Sequence, residues 1–315
     1  MKLETFFNKN IEIKEMSNAI IVVAGGTGNL GGRIVKALLV KGAEVRVLIR
    51  STSDINKVNH LKQIGAKVIA LDMSNEQEIA VACNGASCVV SALAGLRDVI
   101  IDIQKVLLNG AIAAGVPRFI PSDYSLDFTK FTDGENRNLD LRRIFHTYLD
   151  ATSISATTIF NGAFMDMLTD EIPMIIFKKK LVLYWGNADH KMSFTTMDDT
   201  AMYTANAALD PSTPRYLSIA GDQISQRQIR EVMNEISKER FRLIRTGGPG
   251  LLSIIIKIAR KFTPGKTELY PAWQGMQYMR NMIDDRALST SNDNNRYPGM
   301  KWTTVKQLLS NHQIS

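Results

Sequence analysis

The chain has 315 residues, 45% of them apolar and 22% charged, so it can bury a large core and fits one large domain or one domain with an added lobe. Its net charge of +7 suits an anionic cofactor, and no lysine/arginine block with interleaved aromatics points to nucleic acid. No stretch reaches the roughly 20 apolar residues of a membrane span, and the only two cysteines, Cys83 and Cys88, are expected as buried, reduced thiols of a cytoplasmic protein.

Residues 1–16 are too polar and acidic for a signal peptide and read as an extension outside the core. The first predicted element is the β-branched run Ile20-Ile-Val-Val-Ala24, which ends in Gly25, Gly28 and Gly31 with an amphipathic helix directly behind. In that strand–turn–helix context a glycine fingerprint marks a dinucleotide site. Gly25 makes the tight turn, Gly28 lets the backbone approach a pyrophosphate, and Gly31 lets the helix pack on the strand, with Thr27, Asn29 and Leu30 completing the loop. The free N–H groups at the helix start, aided by its dipole, then meet the phosphates. An ordinary glycine-containing turn is the competing reading, and the flanking strand and helix count against it.

A second buried strand follows over Glu44–Ser51. An NAD site carries a carboxylate there, about 20 residues past the glycines, to accept the ribose 2′-hydroxyl. Here the place is held by Arg50, with Ser51 next to it and Lys57 as a further positive charge. A guanidinium holds a 2′-phosphate through two parallel charged hydrogen bonds, whereas a carboxylate repels it, so NADP(H) is the expected cofactor. The alternative is a solvated arginine at a strand end.

Strands and helices keep alternating: Val68–Asp72, a helix over 75–83, Cys88–Ala92, a long helix over 97–114, and Arg118–Pro121. This alternation predicts an α/β fold with a doubly wound parallel sheet of Rossmann type. Cofactor contacts then come from the carboxyl ends of the strands. That nominates Asp72 and Met73 at the adenine edge, Ser91, Ala92 and Leu93 over the pyrophosphate and ribose, and Ser122, Asp123 and Tyr124 towards the nicotinamide. On the next helix the apolar face is Leu141, Ile144, Phe145, Tyr148 and Leu149, which leaves His146 as a solvated histidine.

Beyond Asn161 the pattern changes. Lys178–Gly186 reads as a strand pair with a solvated lysine edge, and Ser193–Thr195 as a return strand before a helix capped by Asp198 or Asp199. Arg215–Gly221 reads as a last sheet strand, and a helix begins at Ser225. The expected division is a dinucleotide-binding domain over 17–161, with 193–223 returning to its sheet, and a smaller substrate lobe with C-terminal helices over 162–192 and 224–315. The apolar segment 251–262 is expected as core or cleft wall rather than membrane-surface helix, with a packing stripe of Tyr270, Trp273, Met276, Tyr278, Met279 and Met282 behind it. No histidine/cysteine spacing fits a metal, and Tyr297 and Lys301 flank a Pro-Gly turn rather than sharing a helix face.

The runs Gly25 to Gly31, Leu48-Ile-Arg50, Ala114 to Tyr124, Phe160-Asn161-Gly162-Ala-Phe164-Met-Asp and Tyr297 to Thr304 resemble the NmrA-like branch of the atypical short-chain dehydrogenases. Within it they are most similar to the isoflavone and phenylcoumaran benzylic ether reductases, from about residue 18 to about residue 312. The resemblance implies an NADP-binding Rossmann domain, a smaller C-terminal lobe over a hydrophobic cleft, Arg50 as reader of the 2′-phosphate, and Phe160, Asn161 and Phe164 near the nicotinamide. Reductases of this kind carry an acid/base lysine one turn before an Arg-Arg pair. The matching stretch, Asn138-Leu-Asp-Leu-Arg142-Arg143, has Asn138 in that place. Asparagine can hold a carbonyl but cannot deliver a proton near neutral pH, so Tyr124 is nominated as proton donor or substrate hydrogen-bond partner beside Asn138.

The expected function is an NADPH-dependent reductase of a small apolar or aromatic carbonyl, quinone or ether-type compound. The rival is a non-catalytic dinucleotide-binding redox sensor acting through a homodimer or protein partner. An epimerase-like enzyme is disfavoured because that chemistry also wants a Tyr/Lys pair.

Overall fold

Runs of valine and isoleucine form strands buried on both faces, because β-branched side chains fill the space between a sheet and its helix layers. The main sheet has six strands, β1 (Ile20–Ala24), β2 (Glu44–Ile49), β3 (Lys67–Ala70), β4 (Cys88–Ser91), β5 (Arg118–Ile120) and β6 (Ser155–Ala156), all parallel and in the order β3-β2-β1-β4-β5-β6, with the buried runs at its centre and the less buried β3 and β6 at its edges. This is the doubly wound order, in which the chain reverses direction across the sheet between β1 and β4. The computed structural model describes residues 19–169, 173–289 and 292–312, so the expected extension over 1–16 lies outside the described residues.

Alternation of side chains divides the core. Ile21 and Val23 face α1 (Asn29–Val40) and α2 (Ile55–Gln63), while Val22 and Ala24 face α3 (Glu76–Cys83), α4 (Gln104–Ala113) and α5 (Arg137–Leu149). The long helix expected over 97–114 divides into a π-helical segment, Asp98–Ile103, and α4. Both cysteines are buried and free, and burial pushes each thiol up to about 12, so neither acts as a nucleophile. Where α3 and α4 pack, a Cβ on Gly110 would stand 2.5 Å from Ile79 Cγ2 and 3.1 Å from Glu76 O. Gly110→Ala is therefore expected to destabilise the protein by about 1–3 kcal/mol, read by urea unfolding; an unchanged or raised midpoint would show that the helices separate freely there.

After one residue, Thr157, whose N–H donates to Phe119 O at 3.0 Å, the track of β6 continues as β7 (Thr158–Phe160). Then come β8 (Ala163–Phe164), β9 (Ile175–Ile176), β10 (Leu181–Trp185) and β11 (Lys191–Thr195). They are followed by α6 (Met197–Leu209), β12 (Tyr216–Ser218), β13 (Asp222–Ser225), α7 (Gln226–Ser237) and β14 (Arg242–Gly247). Of the expected return segment, β12 pairs with β7, whereas β11 belongs to a separate sheet, β13-β11-β8. The cap of α6 is Thr196, not either aspartate: Asp198 pairs with Arg33 on α1, and Asp199 accepts the Thr303 N–H at 2.8 Å. The lysine run turns in a 3-10 segment rather than a strand, with Lys180 left-handed at φ 54° before β10 begins.

The chain closes with α8 (Pro249–Phe262), α9 (Ala272–Met282) and α10 (Val305–Asn311). Only Leu252 and Ile256 of α8 are buried, so the expectation of a core helix fails for Leu251, Ile254, Ile258 and Phe262. Trp273 on α9 is fully enclosed, with Arg137 over its ring at 4.7 Å and Arg260 at 5.4 Å. Tyr297 donates to Asp210 at 3.0 Å and packs on Tyr203, which is the structural role expected of the Pro-Gly turn.

Candidate functional site

The loop between β1 and α1 is built from contacts only glycine permits. Gly25 has φ +85°, and a Cβ there would stand 2.4 Å from Ala92 O. A Cβ on Gly31 would stand 2.1 Å from Gly25 O, because the first turn of α1 presses directly on the strand end. Gly28 closes the loop through its N–H to Gly25 O at 2.9 Å and caps the helix without a side-chain acceptor. No acidic residue occupies the first turn of α1, so its orphan amides and the positive dipole end await an anion. Gly28 and Asn29 stand exposed at the rim of this cradle, with Thr27 and Leu30 half-buried beside them.

Arg50 leaves the end of β2 into a turn closed by Ser53 N–H to Arg50 O at 3.0 Å. Its exposed guanidinium has no hydrogen bond or ion pair among the described residues, and Ser51 and Lys57 are exposed beside it. Asp54, the one nearby carboxylate on that turn, caps α2 by accepting from Asn56 and Lys57 N–H groups. The cationic end of β2 therefore remains available to an anion. At β3, Asp72 accepts from the Ser74 N–H and hydroxyl, which hold its carboxyl below the ordinary range. Met73 turns into the core beneath the sheet, so its side chain is not at an adenine edge as expected.

The carboxyl ends of β4, β5 and β7 carry buried polar atoms that have no protein partner. Among the described residues they include Ser91 Oγ, Asp123 Oδ1, the Tyr124 hydroxyl and both amide atoms of Asn161, joined by Arg142 Nε from α5. Such atoms cost free energy when left dry, and together they mark ground prepared for a polar ligand. Asn161 is fixed by Gly162, whose φ is +68° and whose Cβ would stand 2.4 Å from Ser193 O. Ser122 donates its hydroxyl to Leu93 O at 2.5 Å, tying the end of β5 to that of β4, while its N–H donates at 2.9 Å to Gln104, which ties β5 to the junction of the π-helical segment and α4. The glycine cradle, the free cation at β2 and these unpartnered groups fit a phosphorylated dinucleotide lying across the strand ends.

Two nominated residues have their side chains engaged in packing, and a third expectation, a solvated His146, fails. Tyr124 packs with Ile120, Cys88 and Ala201 in the core between sheet and α6; its hydroxyl faces Thr204, and burial raises the phenol well above its ordinary value. It is not a proton donor to a cleft. Phe160 stacks on Tyr216 at 5.7 Å and meets Phe128 edge-on at 5.3 Å, so its ring is spent on packing. Phe164 remains half-buried on β8.

The third correction is His146, which is buried, not solvated. Its Nε2 lies 2.6 Å from Asp123 Oδ2, and its Nδ1 accepts from Arg215 at 3.0 Å. That second contact assigns the proton to Nε2, which donates to the carboxylate. Thr158 donates to the same Oδ2 at 2.8 Å, and Arg215 reaches on to Asp150 at 2.9 Å. Burial opposes ionisation of Asp123, yet the imidazole, the Thr158 hydroxyl and the Arg142 guanidinium outweigh it and hold the carboxyl below its ordinary range. The helix periodicity had pointed to Ile144 and Tyr148, but both stand exposed while Asn138, Leu139 and His146 turn inward.

Asn138 is buried at the start of α5 under the segment that joins α8 to α9. Its Oδ1 accepts from Arg137 Nε at 3.1 Å and its Nδ2 donates to Leu269 O at 3.3 Å. The cap Asn136 ties this turn to α9, accepting from Gln274 at 2.7 Å and donating to Asn281 at 3.0 Å. The Tyr278 hydroxyl lies beside the Asn138 amide; burial raises this phenol, against the opposing pull of Arg142, so it stays protonated. No sequence spacing announced the Asn136–Gln274–Asn281 seam or the Asp123–His146–Arg215 chain. Each joins residues from elements distant in sequence.

The sequence model of the NmrA-like family matches residues 17–277. Over 317 residues the chain is 26% identical to the bifunctional pinoresinol-lariciresinol reductase of Forsythia intermedia, covering 94% of this chain and 100% of that one. Among solved structures, AtPrR2 with NADP+ and (+)pinoresinol matches at a TM-score of 0.75 and 24% identity, over 93% of this chain and 98% of the other. The binary complex of leucoanthocyanidin reductase with NADPH from Vitis vinifera matches at a TM-score of 0.79 and 15% identity, over 94% and 100%.

Proposed function

Because this chain belongs to the NmrA-like family, we propose that it is an NADP(H)-dependent reductase of a small, largely apolar compound bearing an aromatic carbonyl, quinone or benzylic ether group. The observation that carries the reading is the uncapped start of α1 behind Gly25, Gly28 and Gly31, with the unpaired Arg50 at the neighbouring strand end. In this reading the loop amides and α1 hold the pyrophosphate, Arg50, Ser51 and Lys57 hold the 2′-phosphate, and Ser91, Ala92, Leu93, Ser122 and Asn161 line the path to the nicotinamide. The reduced nicotinamide, when bound, supplies a hydride. The relatives' names support a reductase of aromatic compounds.

On the substrate side Asn138 stands where the family resemblance puts an acid/base lysine. Its amide positions but does not protonate; the Tyr278 O–H and the Arg142 cation beside it are the groups suited to meet negative charge developing on a substrate oxygen. With no lysine there, a proton taken up at that oxygen comes from water. A second reading, a dinucleotide sensor without turnover, is favoured by one observation: both ends of the Asn138 amide are engaged within the protein.

The test is NADPH consumption against a panel of quinones, enones and aromatic alcohols, with Asn138→Lys alongside the wild type. The reductase reading expects turnover on some member of the panel and a faster rate in the variant, by about 10²–10⁴-fold where protonation limits. Tight binding of NADP(H) without turnover by either protein, and with different affinities for the oxidised and reduced forms, would establish the sensor instead.

A further inference from the structure

Helix α8 exposes an apolar stripe that the fold leaves uncovered. Leu251 is 48% exposed, Ile254 55%, Ile258 53% and Phe262 74%. At about 100° per residue these four side chains share an arc of about 80° on one side of the helix. Leu252 and Ile256, on the adjoining face, are buried where α8 packs on α9. The other flank of the stripe carries Lys257 and Lys261, one turn apart and both exposed.

The stretch of chain that contains the helix is strongly cationic. Between Arg242 and Tyr270 the chain holds Arg242, Arg245, Lys257, Arg260, Lys261 and Lys266 against a single carboxylate, Glu268. None of the six makes an ion pair among the described residues. Exposed Ile244 and Tyr270 add apolar area at either end of the same region. A second copy docked on this face through a two-fold axis would set these cations against themselves. An anionic, apolar-cored surface matches both features at once: aliphatic and aromatic groups enter it while the lysines extend to its charged headgroups.

We propose that α8 is an interfacial helix that docks this protein on an anionic lipid surface, Leu251, Ile254, Ile258 and Phe262 entering the headgroup layer and Lys257 and Lys261 pairing with lipid anions. No helix among the described residues is long and apolar enough to cross a membrane, so the contact is peripheral. Docking also bears on the site. The segment after α8 reaches Asn138 and Arg137 through the carbonyls of Glu268 and Leu269. An anchored lobe faces the phase in which apolar aromatic compounds dissolve; that consequence, unlike the docking itself, rests on the reductase reading.

Co-sedimentation tests this with vesicles of phosphatidylcholine alone or mixed with phosphatidylglycerol, at about 0.1 M salt, where the Debye length is about 10 Å. The protein is expected to pellet with the mixed vesicles, stay in solution with phosphatidylcholine, and be released as salt rises several-fold. Lys257→Gln/Lys261→Gln and, separately, Ile254→Ser/Ile258→Ser each lower the bound fraction constant by at least about tenfold, with unfolding temperatures unchanged. Failure to pellet with anionic vesicles at low salt overturns the proposal, as does pelleting that neither double variant weakens. Light scattering that finds a dimer split by Ile254→Ser/Ile258→Ser also overturns it, since a second copy then covers the stripe.

Discussion

Replacing Arg50 by glutamate is expected to weaken NADPH binding by about 10²–10³-fold while leaving NADH binding equal or tighter. The guanidinium is exposed and has no partner among the described residues, so its removal costs the fold almost nothing. The loss falls on the ligand. Two charge-assisted hydrogen bonds contribute roughly 1.5–3 kcal/mol each, and a carboxylate in the same place adds repulsion against a doubly charged phosphate. Lys57 and Ser51 stay behind and limit the loss. Fluorescence titration of the variant with each coenzyme measures the ratio. An NADPH affinity within about threefold of wild type would remove Arg50 from the site, and a wild type that binds neither coenzyme would remove the site itself.

Asp123→Ala is expected to cost about 3–5 kcal/mol of stability, because it strips the acceptor from a buried imidazole, a buried hydroxyl and the cations behind them. In a protein of this size that lowers the unfolding temperature by roughly 5–8 °C. Asp123→Asn keeps one acceptor oxygen and is expected to cost about 1–2 kcal/mol. The sign of the pH dependence follows from the direction of the shift. The carboxyl is held below its unfolded value of about 3.9, so its contribution is complete above that pH and disappears as the pH falls through the lower folded value. Urea unfolding of the wild type should lose stability more steeply below about pH 4 than Asp123→Ala does. Parallel curves for the two proteins would mean that the Asp123–His146 pair carries no charge in the native state.

The strand–turn–helix at Ile20–Val40 was legible because its determinants are local: β-branched residues, glycines at fixed offsets and a periodic apolar face lie within one stretch of chain. The same holds for the helix start at Ser225, which forms a capping box, and for the alternation of β1 to β5 with their helices. Local rules failed where two partners compete for one residue. Helix α5 is covered on more than one side, by the sheet, the π-helical segment and α9, so a single apolar stripe could not describe it and His146 was assigned to solvent. For α8 the apolar content suggested burial, yet only the face against α9 found cover. Tyr124 looked well placed from its position at a strand end, but the residue after a strand can point to either face, and this one turns into the core.

The order of residues alone therefore determined the parallel α/β scaffold, the glycine loop and the cationic end of β2, since each depends on contacts within a few positions of chain. The tertiary structure alone decided that Asp123, His146, Thr158 and Arg215 form one buried polar chain, that Asn136 locks against α9, and that Asn138 bonds to the segment before it. Those groups come from separate strands and helices, and a hydrogen bond acts over about 3 Å. Only the packing of the whole sheet against its helices brings them within that reach.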